Sequence, residues 1–148
     1  MIIIRLWHYE LIPYLPRQQM LSQLRECVAI SKSIYEKGTP NHILVNKIMD
    51  YDLSEFRIYC NMVIYEMICN RNYTVSTKTI KKLQDYIDFE IDIKVIENKI
   101  FKDWHNNLYL KICLYNLEEK ALCQGITKNE WDIIYNRFKG DYDLCQIK

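Results

Sequence analysis

A chain of 148 residues is long enough to bury one continuous core, and a formal net charge of +1 is too balanced for the broad basic surface that usually grips a nucleic-acid backbone. Hydrophobic residues make up 49% and charged residues 26%, with only three glycines and three prolines, which excludes a low-complexity or disordered chain. The positive excess sits at the front, where residues 1–47 carry six basic against three acidic side chains, a balance that suits a small anionic ligand at least as well as a long duplex.

The opening "MIIIRLWHYE" has a short apolar run without a basic leader or a small-residue cleavage site, and it is too short to cross a bilayer. A cytoplasmic protein with no membrane attachment is the expectation. The six cysteines (Cys27, Cys60, Cys69, Cys113, Cys123, Cys145) then read as reduced, small buried hydrophobes. None forms a CxxC pair, and His8, His42 and His105 lie far apart in sequence, so neither a metal site nor a cofactor is expected. The twelve tyrosines and three tryptophans read first as core packing and second as stacking surfaces for bases.

Ile2 to Trp7 is β-branched and apolar, either a short strand or an extended arm laid on the body. Trp7 belongs to the core on this pattern; His8 follows it on extended backbone and points the other way, so at most one of the two is buried. Pro13 and Pro16 punctuate the chain, and Pro16 fits the first turn of a helix. From there Met20, Leu21, Leu24, Cys27, Val28 and Tyr35 recur at helical spacing to Lys37, and Gly38 stops the run. The other side of this helix is a polar wall. Gln18, Ser22 and Arg25 form one stripe, with Gln19, Gln23 and Glu26 beside it.

"TPNHILVNKIMDY" reads as a connector with a short helix. Asp52 then caps a second helix, serving the N–H of Glu55 while Glu55 reaches back, and the helix runs to about Arg71 on Phe56, Tyr59, Cys60, Val63 and Met67. A third helix covers Lys78 to Ile87; "DFEIDIKVIEN" shows no clear period. A long helix from about Asp103 to Cys123 is ended by Gly125 in left-handed conformation. In "TKNEWDIIYNRFKG", Thr127 and Glu130 make a capping box, Trp131, Ile134, Tyr135 and Phe138 make one face, and Gly140 ends the helix. With no repeat or linker, the chain reads as an all-α, single-domain helical bundle over residues 1–148, with an extended N-terminal arm.

The strings "RLWHYELIPYLPRQQMLSQLREC", "NHILVNKIM" and "EFRIYCNMVIYEMICNRNY" resemble the pyrimidine-dimer DNA glycosylase (phage endonuclease V) family, and most closely its bacterial relatives with an RLWH…LIPYLPRQQ…RE opening. The later "WHNNLYLKICLYNLEEKALCQGI" resembles the tail of those relatives, so the resemblance covers roughly residues 5–125 and leaves 126–148 as a C-terminal helical extension. It implies an all-α fold whose long N-terminal helix carries an Arg-Glu pair at the active site, here Arg25 and Glu26. In the phage enzymes the carboxylate works with the chain's own α-amine, which attacks C1′ of a damaged nucleotide, forms an imine and leads to β-elimination. Matching the Arg-Glu pair puts the position of that nucleophile near Arg5, four residues from the start of this chain.

The resemblance implies damaged, flipped-out DNA as partner, with Glu26 and Arg25 catalytic. Arg5, Arg17 and Ser22 would then bind the ligand, Gln18 or Gln19 would read a base edge, and His8 would shuttle a proton or touch a base. His42 with Asn46, and His105 with Tyr109, have i,i+4 spacing and either line a pocket or decorate a surface. The bland reading of Arg25 and Glu26 is a pair of solvated helix residues. The alternative function is a non-catalytic phage-type protein on the same scaffold that sequesters a small nucleotide signal. Either function is compatible with a homo-oligomer.

Overall fold

The computed structural model describes residues 5–92 and 99–145. Among them are five α-helices: α1 (Arg17–Lys37), α2 (Leu53–Tyr65), α3 (Thr77–Ile87), α4 (Asn107–Leu122) and α5 (Lys128–Cys145). A tight 3-10 turn at Tyr9–Tyr14 precedes α1, another at Asn46–Asp50 lies between α1 and α2, and no strand occurs among the described residues, so the fold is all-α. None of these helices is long and apolar enough to cross a membrane.

Helix α1 begins where the prolines demand. Pro16 stands just outside it with extended backbone, and its carbonyl accepts the Met20 N–H at 2.9 Å. Gly38 ends it at φ 75°, donating its N–H to the Ile34 carbonyl at 2.8 Å. A side chain there would meet no steric obstacle, so Gly38→Ala tests backbone strain alone. That variant is expected to lose about 1 kcal/mol in urea unfolding. Met20, Leu24, Cys27 and Ile30 face α2 and α3. Tyr35, expected on the same face, is exposed, and its ring meets Tyr86 of α3.

The Asp52 cap forms differently from expectation. Asp52 accepts from the Ser54 N–H at 2.9 Å, while Glu55 leaves its own helix end and accepts the Phe101 N–H at 2.8 Å. Phe101 takes a positive φ of 55°, and the carboxylate holds its amide in that turn. Helix α2 continues through one π turn, Glu66–Asn70, to Arg71, and Phe56, Tyr59, Cys60, Val63 and Met67 are all buried.

Helix α4 starts at Asn107 rather than Asp103, since Phe101 and Asp103 both lie at positive φ and Asn106 supplies the cap to Tyr109 N–H. Its end is also shifted by one residue. Gln124, not Gly125, is left-handed (φ 65°), and the Gly125 N–H reaches the Lys120 carbonyl at 2.7 Å. The Thr127–Glu130 capping box of α5 is present. Gly140 does not stop that helix, which runs on to Cys145. Ile134 and Phe138 are buried in it, and Trp131 and Tyr135 are half-buried.

Helices α1 and α3 pack together, as do α4 and α5, and the N-terminal arm lies in the same core. Leu6, Trp7, Leu11, Ile12 and Leu15 are buried, and so is Trp104. From Arg5 onward the arm is extended without strand pairing; Ile2 to Ile4 of the expected strand or arm lie outside the described residues, as does the part of "DFEIDIKVIEN" from 93 to 98. Cys27, Cys60 and Cys113 are the small buried hydrophobes expected; Cys69 and Cys123, at helix ends, are exposed free thiols, and the side chain of Cys145 lies outside the described part.

Candidate functional site

The polar wall of α1 divides into two rows with different fates. The row Gln19, Gln23, Glu26 turns toward the core and the arm, whereas Gln18 and Arg25 face solvent, with Ser22 bonded to Arg25 Nη2 at 3.0 Å. Gln23 is fully buried, and it welds the arm to the helix. Its Nε2 donates to the Arg5 carbonyl at 2.9 Å and lies 3.3 Å from Glu26 Oε2. Its Oε1 accepts the Trp7 N–H at 2.9 Å. The Tyr59 hydroxyl, from α2, reaches both the Trp7 carbonyl (2.6 Å) and Gln23 Oε1 (2.9 Å).

Glu26 therefore looks along the arm. Its Oε2 accepts the main-chain N–H of Arg5 at 3.2 Å. Burial pushes its carboxyl above the ordinary carboxylate range, and the Arg5 N–H and the charges of Arg5, Arg25 and Lys120 oppose that rise. The Arg5 guanidinium lies over the Trp7 ring, 5.5 Å from its centroid, and meets the Tyr109 hydroxyl and the Cys113 thiol of α4. Tyr109 in turn donates to the Leu6 carbonyl at 2.6 Å, and burial drives its hydroxyl far up. So Arg5, Glu26 and Tyr109, which the sequence suggested as site residues, share one neighbourhood.

Trp7 and His8 are both buried, against the expectation of one, because the arm is covered on both sides: by α1 and α2 on one, by the 101–109 segment on the other. His8 Nδ1 accepts the Glu10 N–H at 3.1 Å, which leaves the proton on Nε2 to donate to the His105 carbonyl at 3.0 Å. His105 Nδ1 accepts the Tyr9 N–H at 3.2 Å, so its Nε2 carries a proton that finds no hydrogen-bond partner. That proton is enclosed by the rings of Trp104, Tyr109, Phe101 and Tyr59, with centroids 4.7 to 6.0 Å from the imidazole. Burial lowers His8 to about 4 and His105 to about 2.

The remaining residues suggested by the sequence are not gathered here. Arg17 stacks on Tyr73, 4.6 Å from the ring centroid, and at 1.5 Å of rise per residue it stands about 13 Å along α1 from Glu26. Against the upward pull of burial, hydrogen bonds from Arg17 and Arg71 hold the Tyr73 hydroxyl below its ordinary value. Gln18 is exposed beside Arg17, and Gln19 keeps a buried Oε1 without a partner. His42 and Asn46 close a turn on each other in the connector between α1 and α2: the His42 N–H donates to Asn46 Oδ1 and the Asn46 N–H to the His42 carbonyl, both at 2.9 Å. A cleft of about 490 Å³ lies at the C-terminal end of α4, bounded by Glu118, Leu122, Ile126 and Trp131; neither the arm nor α1 lines it.

Sequence reasoning placed Gln23 on the wall without giving it a role, gave Tyr59 and Cys113 a place in the core alone, and did not single out Lys120. The α4 residues had a legible signal: Tyr109, Cys113 and Lys120, spaced i, i+4, i+11, fall on one helix face.

The arm, α1, α2 and nearly half of α3 fall within residues 4–81, which match a family model described as pyrimidine dimer DNA glycosylase. Neither a curated protein nor a solved structure matches the chain. Helices α4 and α5 lie beyond the matched residues, although α4 completes the surroundings of Arg5. The match takes in more than half of the sequence, together with the Arg-Glu pair of α1 and the arm that bonds to it: the chain belongs to the pyrimidine dimer DNA glycosylase family.

Proposed function

We propose that this protein recognises damaged DNA and cleaves the N-glycosidic bond of a flipped-out nucleotide, with Glu26 as the reacting carboxylate. The observation that carries the reading is the half-buried Glu26, held by the Arg5 N–H at 3.2 Å between cationic side chains. As C1′–N breaks, its electron pair leaves with the base and the sugar carbon becomes positive. A fixed carboxylate stabilises that charge and accepts the proton of the water that adds at C1′. Exposed Arg25 and Arg17, one to each end of this stretch of α1, suit phosphates on either side of the extruded nucleotide.

The nitrogen on Glu26 belongs to the Ile4–Arg5 peptide bond, with its lone pair delocalised into the amide. It corresponds to the position at which the family resemblance puts the nucleophilic amine, yet it cannot attack C1′. In this reading water is the nucleophile in the base-removal step. The N-terminal amine itself lies outside the described residues.

The test is base release from a duplex carrying one pyrimidine dimer. Glu26→Gln is expected to slow release by about tenfold or more while the duplex still binds. Release by the variant at the parent rate would remove Glu26 from the reaction, and absence of release by the parent would remove the reading. The net charge of +1 supports one second reading, sequestration of a small anionic nucleotide at the same wall. Thermal-shift titration with cyclic and ADP-ribose-type nucleotides tests it; a flat response to all of them rejects it.

A further inference from the structure

We infer that the outer face of α4 is an interface, and that its partner is the same face of a second copy of this chain, lying antiparallel. The inference does not depend on the proposed base removal.

Helix α4 is apolar on two sides, which a helix at a protein surface ordinarily is not. Leu110, Cys113, Leu114 and Leu117 are buried in the core. Leu108, Ile112, Tyr115 and Leu122, on the other side, are 66%, 41%, 40% and 78% exposed. With Glu119 they recur at intervals of four, three, four and three residues, the spacing of the seam between two coiled helices. At 3.6 residues per turn all five fall within an arc of about 80°. Single exposed apolar residues are ordinary on a surface, whereas a row of them along about four turns marks a contact.

The charges along this row select a second copy as the occupant. Lys111 and Glu118 flank it on one side, two turns apart, and among the described residues neither they nor Glu119 form a salt bridge. When a second α4 runs antiparallel on the first, Ile112 and Tyr115 of one copy lie on Tyr115 and Ile112 of the other. In that register Lys111 falls against Glu118 of the second copy, and Glu118 against its Lys111, so the face is self-complementary about a two-fold axis. Glu119, the one charged member of the row, falls against Leu108 of the second copy. That residue lies in the first turn of its helix, where unpaired N–H groups favour a carboxylate. Glu118 and Leu122 also bound the cleft of about 490 Å³, which puts the start of the second copy's helix at its mouth. A membrane surface would instead leave Glu119 facing lipid, at a cost in desolvation.

Sedimentation velocity on the full-length protein over a concentration series tests the interface. The parent is expected to pass from the 18.0 kDa of one chain to twice that mass as concentration rises. Ile112→Glu puts a carboxylate in the middle of the row and is expected to raise the dimer dissociation constant by about tenfold or more. Its melting temperature should match the parent's at concentrations where both are monomeric. Lys111→Glu sets carboxylates against each other at both ends of the two-fold and should weaken the dimer likewise; adding Glu118→Lys in the same chain exchanges the charges and should restore it. A parent that keeps the mass of one chain throughout overturns the inference. If that monomer co-sediments with phosphatidylglycerol vesicles, the row belongs to a membrane surface instead. Association undiminished by Ile112→Glu removes the interface from α4, and failure of the charge exchange to restore it overturns the antiparallel register.

Discussion

Gln23→Leu is expected to lower the unfolding free energy by about 3 kcal/mol or more, the largest loss from any single change in the wall of α1. Leucine fills nearly the same volume, so the cost is polar rather than steric. The fully buried amide makes contacts at 2.9 Å with Trp7 N–H, the Arg5 carbonyl and the Tyr59 hydroxyl. Removing it leaves the Trp7 N–H without an acceptor in a place water does not reach, and each such orphan costs about 1–3 kcal/mol. The Tyr59 hydroxyl retains the Trp7 carbonyl at 2.6 Å, which limits the damage on that side. Urea unfolding at neutral pH measures the loss, and hydrogen exchange at the Trp7 amide should rise with it. A change below about 1 kcal/mol would mean that the arm is held by its apolar side chains and not by this amide. Base release should fall too, since the arm that brings the Arg5 N–H to Glu26 hangs on the same side chain.

The same residue shows where sequence reading reaches its limit. The bounds of α1 were legible because proline and glycine act locally: Pro16 fixes the entry and Gly38 supplies the left-handed exit. The capping box of α5 was legible for the same reason, as its two partners are three residues apart. What the sequence could not place were side chains whose partners come from far along the chain. Glu55 has local capping geometry available to it, yet it bonds the Phe101 amide 46 residues away. Gln23 looked like one more amide on a solvated stripe, and it became the junction of arm, α1 and α2 once α2 supplied Tyr59. His8 and Trp7 alternate as extended backbone requires, but alternation predicts burial only when one side of a segment is left open, and this arm is enclosed. Gly140 does not act as a stop, since a glycine with open space around it is tolerated inside a helix that Ile134 and Phe138 anchor in the core.

Acid is expected to destabilise this fold early, by about 4 kcal/mol between pH 6.5 and 4.5, before most carboxylates titrate. The cause is the neutral pair His8 and His105, held by burial at about 4 and about 2 against an ordinary 6.5. In the unfolded chain each imidazole takes up a proton as pH falls through 6.5. In the folded chain His8 does so only near 4, and His105 lower still. Over that window the unfolded state binds up to two more protons than the native state, so stability falls with falling pH, by up to about 1.4 kcal/mol per unit for each histidine. Glu26 acts in the opposite sense, since its raised carboxyl is relieved of a buried charge on protonation, but it is one half-buried group against two enclosed imidazoles. Urea unfolding at half-unit pH steps reads the slope directly, and a flat profile between 6.5 and 4.5 rejects the neutral pair. His105→Phe should roughly halve the slope while lowering stability at pH 7, because the Tyr9 N–H loses its acceptor. The two imidazoles tie the arm and the 101–109 segment to each other through His8 Nε2 and the Tyr9 N–H. Protonation of His105 at Nδ1 replaces the acceptor that Tyr9 uses with a second buried donor. Acid therefore strikes the clasp that keeps the arm, and with it the Arg5 N–H, on Glu26, so base release should be lost at a higher pH than the helices are.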